Sequence, residues 1–339
     1  MSQLVPYRHY WSRFKRQIIG QSTTLFSFVF GSWLHRFPCQ RQEFIKNYHG
    51  SHQTKIHVIG DLYLVSKHQV STKLRILIPG LSSNHRSPYL AQHISQALAS
   101  KNDVLSLSMR GVLGLGCDIH HAGFTEDLHH IFNDSDFDHY QDITLMGFSM
   151  GGLVVLNFAR ECNDSRLKAL ATLCAPIQLS KVQKHLDRPK QSIYRQLLFR
   201  SLKKAYQQVW HNAAQSPHPL ESRLDQVLAC KSFADWDQQV VISRFSFDSI
   251  DDYHQQVSFS IQDLNALKYP SYLLFNEADP MIRIEDIGVK PGELNELCTI
   301  HFAPRGGHLG FYYKLDLGLS NRLGVSAQLN AWFDQLSYT

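Results

Sequence analysis

An α/β fold with a mostly parallel central sheet, flanked by helices and carrying an inserted helical cap, is what the 339-residue sequence predicts. Two observations predict it. From about residue 55 onward, short apolar runs alternate with longer segments of helical spacing, the order that β-α-β units with right-handed crossovers produce. The alternation stops over residues 178–265, where the pattern is helical, polar and aromatic, and strand-like runs resume only afterwards. Apolar residues make up 43% of the chain, enough for a sizeable core.

The elements follow in order. Ile56–Ile59 and Leu62–Val65 flank Gly60-Asp61, a hairpin signal. Leu74–Ile78 is a strand ending at Pro79-Gly80, and Ser87–Ser100 has helical spacing through Leu90, Ile94, Ala97 and Leu98. Val104–Ser108 predicts the next strand and Ala122–Phe132 a helix. Ile143–Met146, Leu153–Arg160 and Leu167–Leu173 read as strand, helix and strand. After the insert come strands at Ser271–Phe275 and Cys298–Phe302 and a last amphipathic helix at Ala327–Leu336. This divides the chain into an N-terminal basic and aromatic segment (1–50), a first core part (51–177), a helical cap (178–265) and a second core part (266–339).

Net charge is +5, too weak to argue for nucleic acid. Its distribution is uneven. Residues 1–42 hold Arg8, Arg13, Lys15, Arg16, Arg36 and Arg41 and no acid, and a second cluster runs from Lys181 to Lys204 against Asp187 alone. Such runs usually mark a solvated face, yet they also suit an anionic lipid surface. The apolar run Leu25–Phe30 is too short to span a bilayer, and no small-residue cleavage site follows it. Residues 7–19 could form a basic amphipathic helix lying on a membrane or pack their aromatics on the core. The expectation is a cytoplasmic protein, with residues 1–37 suited to peripheral contact with the inner membrane face. The six cysteines are scattered without a CxxC pair, the pattern of reduced thiols. Despite 19 histidines, no Cys/His spacing matches a metal-ligand set, and neither metal nor organic cofactor is expected.

Gly147-Phe148-Ser149-Met150-Gly151-Gly152 fits G-x-S-x-G between a strand and a helix, the context that motif requires. Ser149 is the candidate nucleophile. A sharp, strained turn would lift its Oγ above the sheet and aim the Met150 N–H at a reacting carbonyl oxygen. Serine needs a base. His308, in Gly306-Gly307-His308-Leu309-Gly310-Phe311 after the last strand, is the candidate. The acid should follow an earlier strand; in Asn276-Glu277-Ala278-Asp279-Pro280 the choice is Asp279, with Glu277 second. The loop Ile78-Pro79-Gly80-Leu81-Ser82-Ser83 offers the Leu81 N–H as second oxyanion donor, with Gly80 allowing close approach.

With these residues in place the chain resembles the YheT-like branch of the α/β-hydrolase superfamily, related to ABHD-type lipid hydrolases, over about residues 50–335. The Ile78–Leu81 loop with Pro88-Tyr89, Arg110-Gly111, the His121–Leu128 stretch (H-x-G-x-T-x-D), the Gly147–Gly152 elbow and Gly306–Phe311 carry the resemblance; Tyr194–Leu198 and Asp251–Tyr253 resemble the family's cap. It implies an α/β-hydrolase fold and a Ser-Asp-His esterase acting on acyl esters, some of them lipids. Ala278 stands where the family usually has a second Asp, and Asp248-Ser249-Ile250 replaces an acid-rich cap segment. The N-terminal N-G-H-x-Q-T element has only a loose echo at Gly31–His35. His121, Thr125 and Asp127 are expected to brace a loop beneath the cap. The expected activity is ester hydrolysis through an acyl-enzyme. Its rivals are a membrane-associated lipase or phospholipase and, in another class, a catalytically silent binding protein.

Overall fold

The computed structural model describes residues 40–49, 55–66 and 70–336. Eight strands form one sheet in the order β1-β2-β4-β3-β5-β6-β7-β8. They are β1 Gln40–His49, β2 Lys55–Leu64, β3 Lys73–Ile78, β4 Asp103–Ser108, β5 Asp142–Phe148, β6 Leu167–Leu173, β7 Ser271–Asn276 and β8 Cys298–Ala303. From β4 to β8 every neighbouring pair is parallel, while β1 and β2 are antiparallel additions at one edge. Parallel strands are covered on both faces and therefore read as continuous apolar runs. In β4 and β7 all residues are buried.

Helices α1 (Ala91–Ala99), α2 (Glu126–Phe132) and α3 (Met150–Glu161) connect the first parallel strands, and α11 (Val325–Leu336) closes the chain. Between β6 and β7 the chain is helical: α4 Leu179–Leu186, α5 Ser192–Ala213, α6 Leu224–Ala229, α7 Phe233–Trp236, α8 Ile250–Val257 and α9 Ile261–Asn265, with α10 (Ile284–Ile287) after β7. The 22-residue α5 keeps Leu198, Phe199, Leu202, Tyr206 and Val209 inward.

The hairpin expected at Gly60-Asp61 is not there: both residues lie inside the continuous strand β2. The glycine serves a close approach, since a Cβ on Gly60 would sit 2.3 Å from the Ser106 carbonyl oxygen of β4. Asp61 is fully buried and accepts Arg86 Nε at 2.8 Å and Nη2 at 3.0 Å, a two-pronged bond no open turn would need. Strand β2 pairs with β4 on one side and with β1 on the other, and β1 falls within the N-terminal segment of the sequence-based division. The helix expected over 122–132 begins only at Glu126, because residues 121–125 form a loop in which a Cβ on Gly123 would meet the Val257 side chain at 2.5 Å. Residues 7–19, 25–30 and 31–35 lie outside the described residues. Among those described, no helix is long and apolar enough to cross a membrane.

Candidate active site

Strand β5 delivers the chain to Ser149, where φ is 51° and ψ −123°, a conformation an L-residue holds only under tertiary constraint. The constraint is visible atom by atom. The Ser149 N–H donates to the Leu173 carbonyl of β6 at 2.8 Å, and its own carbonyl accepts Gly152 N–H at 2.9 Å. The surrounding glycines are there because nothing larger fits. A Cβ on Gly147 would lie 2.4 Å from the Gly151 oxygen, and one on Gly151 would lie 2.2 Å from the Ile78 oxygen and 2.3 Å from that of Pro79. Strand β3 and the elbow are thus in backbone contact, which brings the loop after β3 to the serine. A Cβ on Gly80 would touch Ser149 Cβ at 3.0 Å and stand 3.6 Å from Oγ.

His308 arrives from the loop after β8. Gly306 at φ 137° leaves no room for a side chain, since a Cβ would meet Asn276 Nδ2 and the Gly310 oxygen at 2.3 Å. Gly307 N–H donates to the Gly310 carbonyl at 2.7 Å, tightening the turn that presents the imidazole. His308 Nε2 lies 2.9 Å from Ser149 Oγ and Nδ1 2.8 Å from Asp279 Oδ2. The histidine is 1% exposed and Asp279 6%, so both contacts are shielded from competing water. The other Asp279 oxygen accepts the N–H groups of Met281 at 2.8 Å and Ile282 at 3.0 Å, which fixes the carboxylate before it meets the ring. Glu277 is exposed, and Asp279 is the carboxylate that His308 contacts.

The expected oxyanion donors flank the serine. Met150 heads α3, where first-turn amides have no intrahelical acceptor and the helix end is partly positive. In the loop after β3, Ser83 N–H donates to the Gly80 carbonyl at 3.0 Å, and Gly80 N–H donates to Tyr89 Oη at 2.9 Å. That turn makes no use of the Leu81 amide. Leu81, Ser149, Met150 and His308 line one cavity of about 710 Å³, whose remaining wall is largely apolar: Leu179, Val182, Leu186 and Leu198 from the insert, with Met281 and Ile282.

His121, Thr125 and Asp127 stand away from this centre. The His121 ring packs against Phe124, Phe245, Phe247 and Tyr253, and burial pushes its pKa down to about 3. Asp127 accepts Arg110 Nε at 3.1 Å, and Thr125 Oγ1 donates to Glu161 at 2.8 Å. Arg110 also bonds Asp118 at 2.9 Å, and Asp118 in turn accepts Arg244 Nε of the insert at 3.1 Å. These groups tie the loops after β4 to the helices above them.

One residue near the triad was not singled out by the motifs. Cys174, fully buried at φ 52° just after β6, offers a sulfur that lies with one atom each of Asp279 and His308 inside a 4.8 Å group. Its only trace in the sequence is an apolar context. His308 and Asp279 are already bonded to each other, and burial beside the carboxylate pushes the pKa of the thiol well up.

The comparisons agree with this architecture. A model described as "Alpha/beta hydrolase family" matches residues 76–314. The chain is 27% identical over 256 residues to the putative esterase YheT of Escherichia coli, covering 72% of each chain. It is 25% identical over 262 residues to phospholipase ABHD3 of Bos taurus, covering 73% of this chain but only 61% of that longer protein. Among solved structures, Est1E from Butyrivibrio proteoclasticus superposes with a TM-score of 0.52 at 12% identity, over 87% of this chain and 99% of its own, a likeness of fold. With a family match across most of its length, a sheet of the matching topology and a strained serine at the elbow, the chain belongs to the alpha/beta hydrolase family.

Proposed function

We propose that the chain is a serine hydrolase that cleaves carboxylic esters with short- to medium-chain or lipid-like acyl groups. The observation that carries this is the continuous contact Ser149 Oγ to His308 to Asp279, at 2.9 Å and 2.8 Å. A hydroxyl, an imidazole and a buried carboxylate in that order are what acyl transfer requires. His308 takes the Ser149 proton as Oγ attacks the ester carbonyl. The N–H groups of Leu81 and Met150 receive the oxyanion, an interaction worth about 3–4 kcal/mol of barrier per donor. His308 then protonates the leaving alcohol, and a water it activates releases the acid. The names of the relatives support this reading of ester chemistry. Ser149→Ala tests it: turnover of a p-nitrophenyl ester should disappear while the melting temperature holds. Turnover that survives would mean another nucleophile.

A second reading, a lipase working at a membrane surface, is favoured by the outside of the same insert. On α5 the exposed residues Ile193, Leu197, Arg200 and Lys204 recur at helical spacing as one stripe. Lys181 and Lys184 face out from α4, whose inner face lines the cavity, and among the described residues none of these cations has an ion-pair partner. Apolar side chains rimmed by unpaired cations suit an anionic lipid surface. Residues 1–37, equally free of acid, would add to that contact. Co-sedimentation with vesicles containing phosphatidylserine should be lost in Leu197→Asp/Arg200→Glu; absence of binding by the unaltered chain would leave a non-interfacial esterase.

A further inference from the structure

A second cavity adjoins the one that holds Ser149. It opens over about 670 Å³, and its wall, like that of the first, is mostly apolar but carries Ser82, Arg110, His120, Ser201 and Tyr206. The two share Leu81, Met150, Phe233, Asp237 and Tyr253. The two residues whose amides are the expected oxyanion donors therefore stand at the waist, and so does Asp237, the one carboxylate among the described residues lining either cavity.

Asp237 is an unusual residue to find there. It opens the π-helical segment Asp237–Ile242 that continues α7, and such widened turns are found frequently at functional sites. It is 9% exposed, and its Oδ2 lies 2.9 Å from His254 Nε2 of α8. Its other oxygen has no hydrogen-bond partner among the described residues. That oxygen is not sealed off, so it is open to a partner in the cavities, and burial of the residue raises the pKa of the carboxylate. A bond needed only to brace α7 against α8 would not require a carboxylate that faces both cavities with an acceptor to spare.

We propose that Asp237 accepts a hydrogen bond from a free hydroxyl on the alcohol half of the substrate, so that the site selects esters of hydroxylated alcohols, such as glycerol or a glycol, over simple alkyl esters. This rests on the esterase reading and names the substrate class of the same centre. The acyl chain lies in the first cavity among Leu179, Val182 and Leu198, the ester carbonyl sits at the waist, and the alcohol extends into the second, toward its serine hydroxyls. The Ser82 and Ser201 hydroxyls there suit a polyol, and the Arg110 guanidinium on the same wall is already paired with Asp118, Glu126 and Asp127. A site that hydrogen-bonds a substrate hydroxyl rejects analogues lacking it, because its buried acceptor is then left unpaired.

The test holds the octanoyl group constant and varies the alcohol, comparing monooctanoyl glycerol, methyl octanoate and octanoylcholine on the full chain and on Asp237→Asn and Asp237→Ala. The unaltered protein should prefer the glycerol ester. In the variants the ratio of kcat/KM for the glycerol ester to that for the methyl ester should fall at least tenfold, chiefly through KM. Asp237→Asn keeps a partner for His254 and guards against a folding defect in the alanine variant. Equal losses on both esters would mean bracing alone and would overturn the proposal, as would a preference of the unaltered protein for octanoylcholine or for neither alcohol. Hydrolysis of methyl octanoate without a glycerol preference sinks only the role of Asp237, whereas no hydrolysis of any of the three sinks the esterase reading with it.

Discussion

At the scale of single residues, the site is a set of positions where the backbone leaves little choice. Ser149 at φ 51° is held by Leu173 and Gly152, and Gly306 at φ 137° turns the chain toward His308. Because these constraints exclude side chains, they leave glycines in the sequence, which is why Ser149 and His308 were legible before any coordinates. The acid was less so: Glu277 and Asp279 both follow β7, and only the folded turn decides which carboxylate reaches Nδ1. Cys174 and Asp237 left no motif at all, since a buried thiol and a charged residue in a helical insert read as packing and surface. Asp279→Asn should keep the shape but favour the wrong imidazole tautomer. The expected result in steady-state kinetics is a loss of kcat of about 10⁴-fold with KM little changed.

At the scale of elements, the strand-elbow-helix unit β5–α3 depends on backbone packing against β3. Gly151→Ala would force a methyl to within 2.2 Å of the Ile78 oxygen. Backbone cannot yield cheaply there, so a drop in melting temperature together with loss of turnover is expected. A second element-level contact is Arg75 of β3, fully buried under the Phe333 ring, with Nε donating to Thr144 at 3.1 Å and Nη1 to Asn330 of α11 at 2.5 Å. Removing one acceptor in Asn330→Leu leaves a donor of this buried cation unpaired, with Thr144 and the Phe333 ring still in place. Urea unfolding should register about 1.5–3 kcal/mol of lost stability. Strands β3 to β7 were legible because burial on both faces writes them as apolar runs, and the half-buried edge strand β8 through its alternating apolar residues Cys298, Ile300 and Phe302. Strand β1 was not, as an edge strand with mostly exposed residues carries no such run. The Gly60-Asp61 signal misled because a glycine needed for close strand approach looks the same in sequence as one needed for a turn.

At the scale of the whole molecule, the helical insert and the core enclose the site together, joined by the Arg110–Asp118–Arg244 chain and by Tyr253, whose hydroxyl accepts Ala122 N–H at 3.0 Å. The extent of the insert was legible from the break in strand rhythm, but its two cavities arise from contacts among distant helices that no local pattern encodes. Burial also shapes the response to acid. His93 has its pKa pushed down to about 3, and His120 is held at about 4. Such histidines are neutral when folded but titrate near 6.5 when unfolded. Their contribution is complete above pH 6.5 and is lost as pH falls toward the folded-state pKa. For His93 alone the loss by pH 5 is about 2 kcal/mol. Denaturant midpoints should therefore fall between pH 7 and pH 5.

The central claim is that one serine, activated by a distant histidine, is the reactive centre of this molecule. Treatment with a fluorophosphonate followed by peptide mapping tests it most directly. The account predicts a single phosphonyl adduct, on the peptide carrying Ser149, that does not form in His308→Ala; an adduct on another residue, or labelling undiminished without His308, would contradict it.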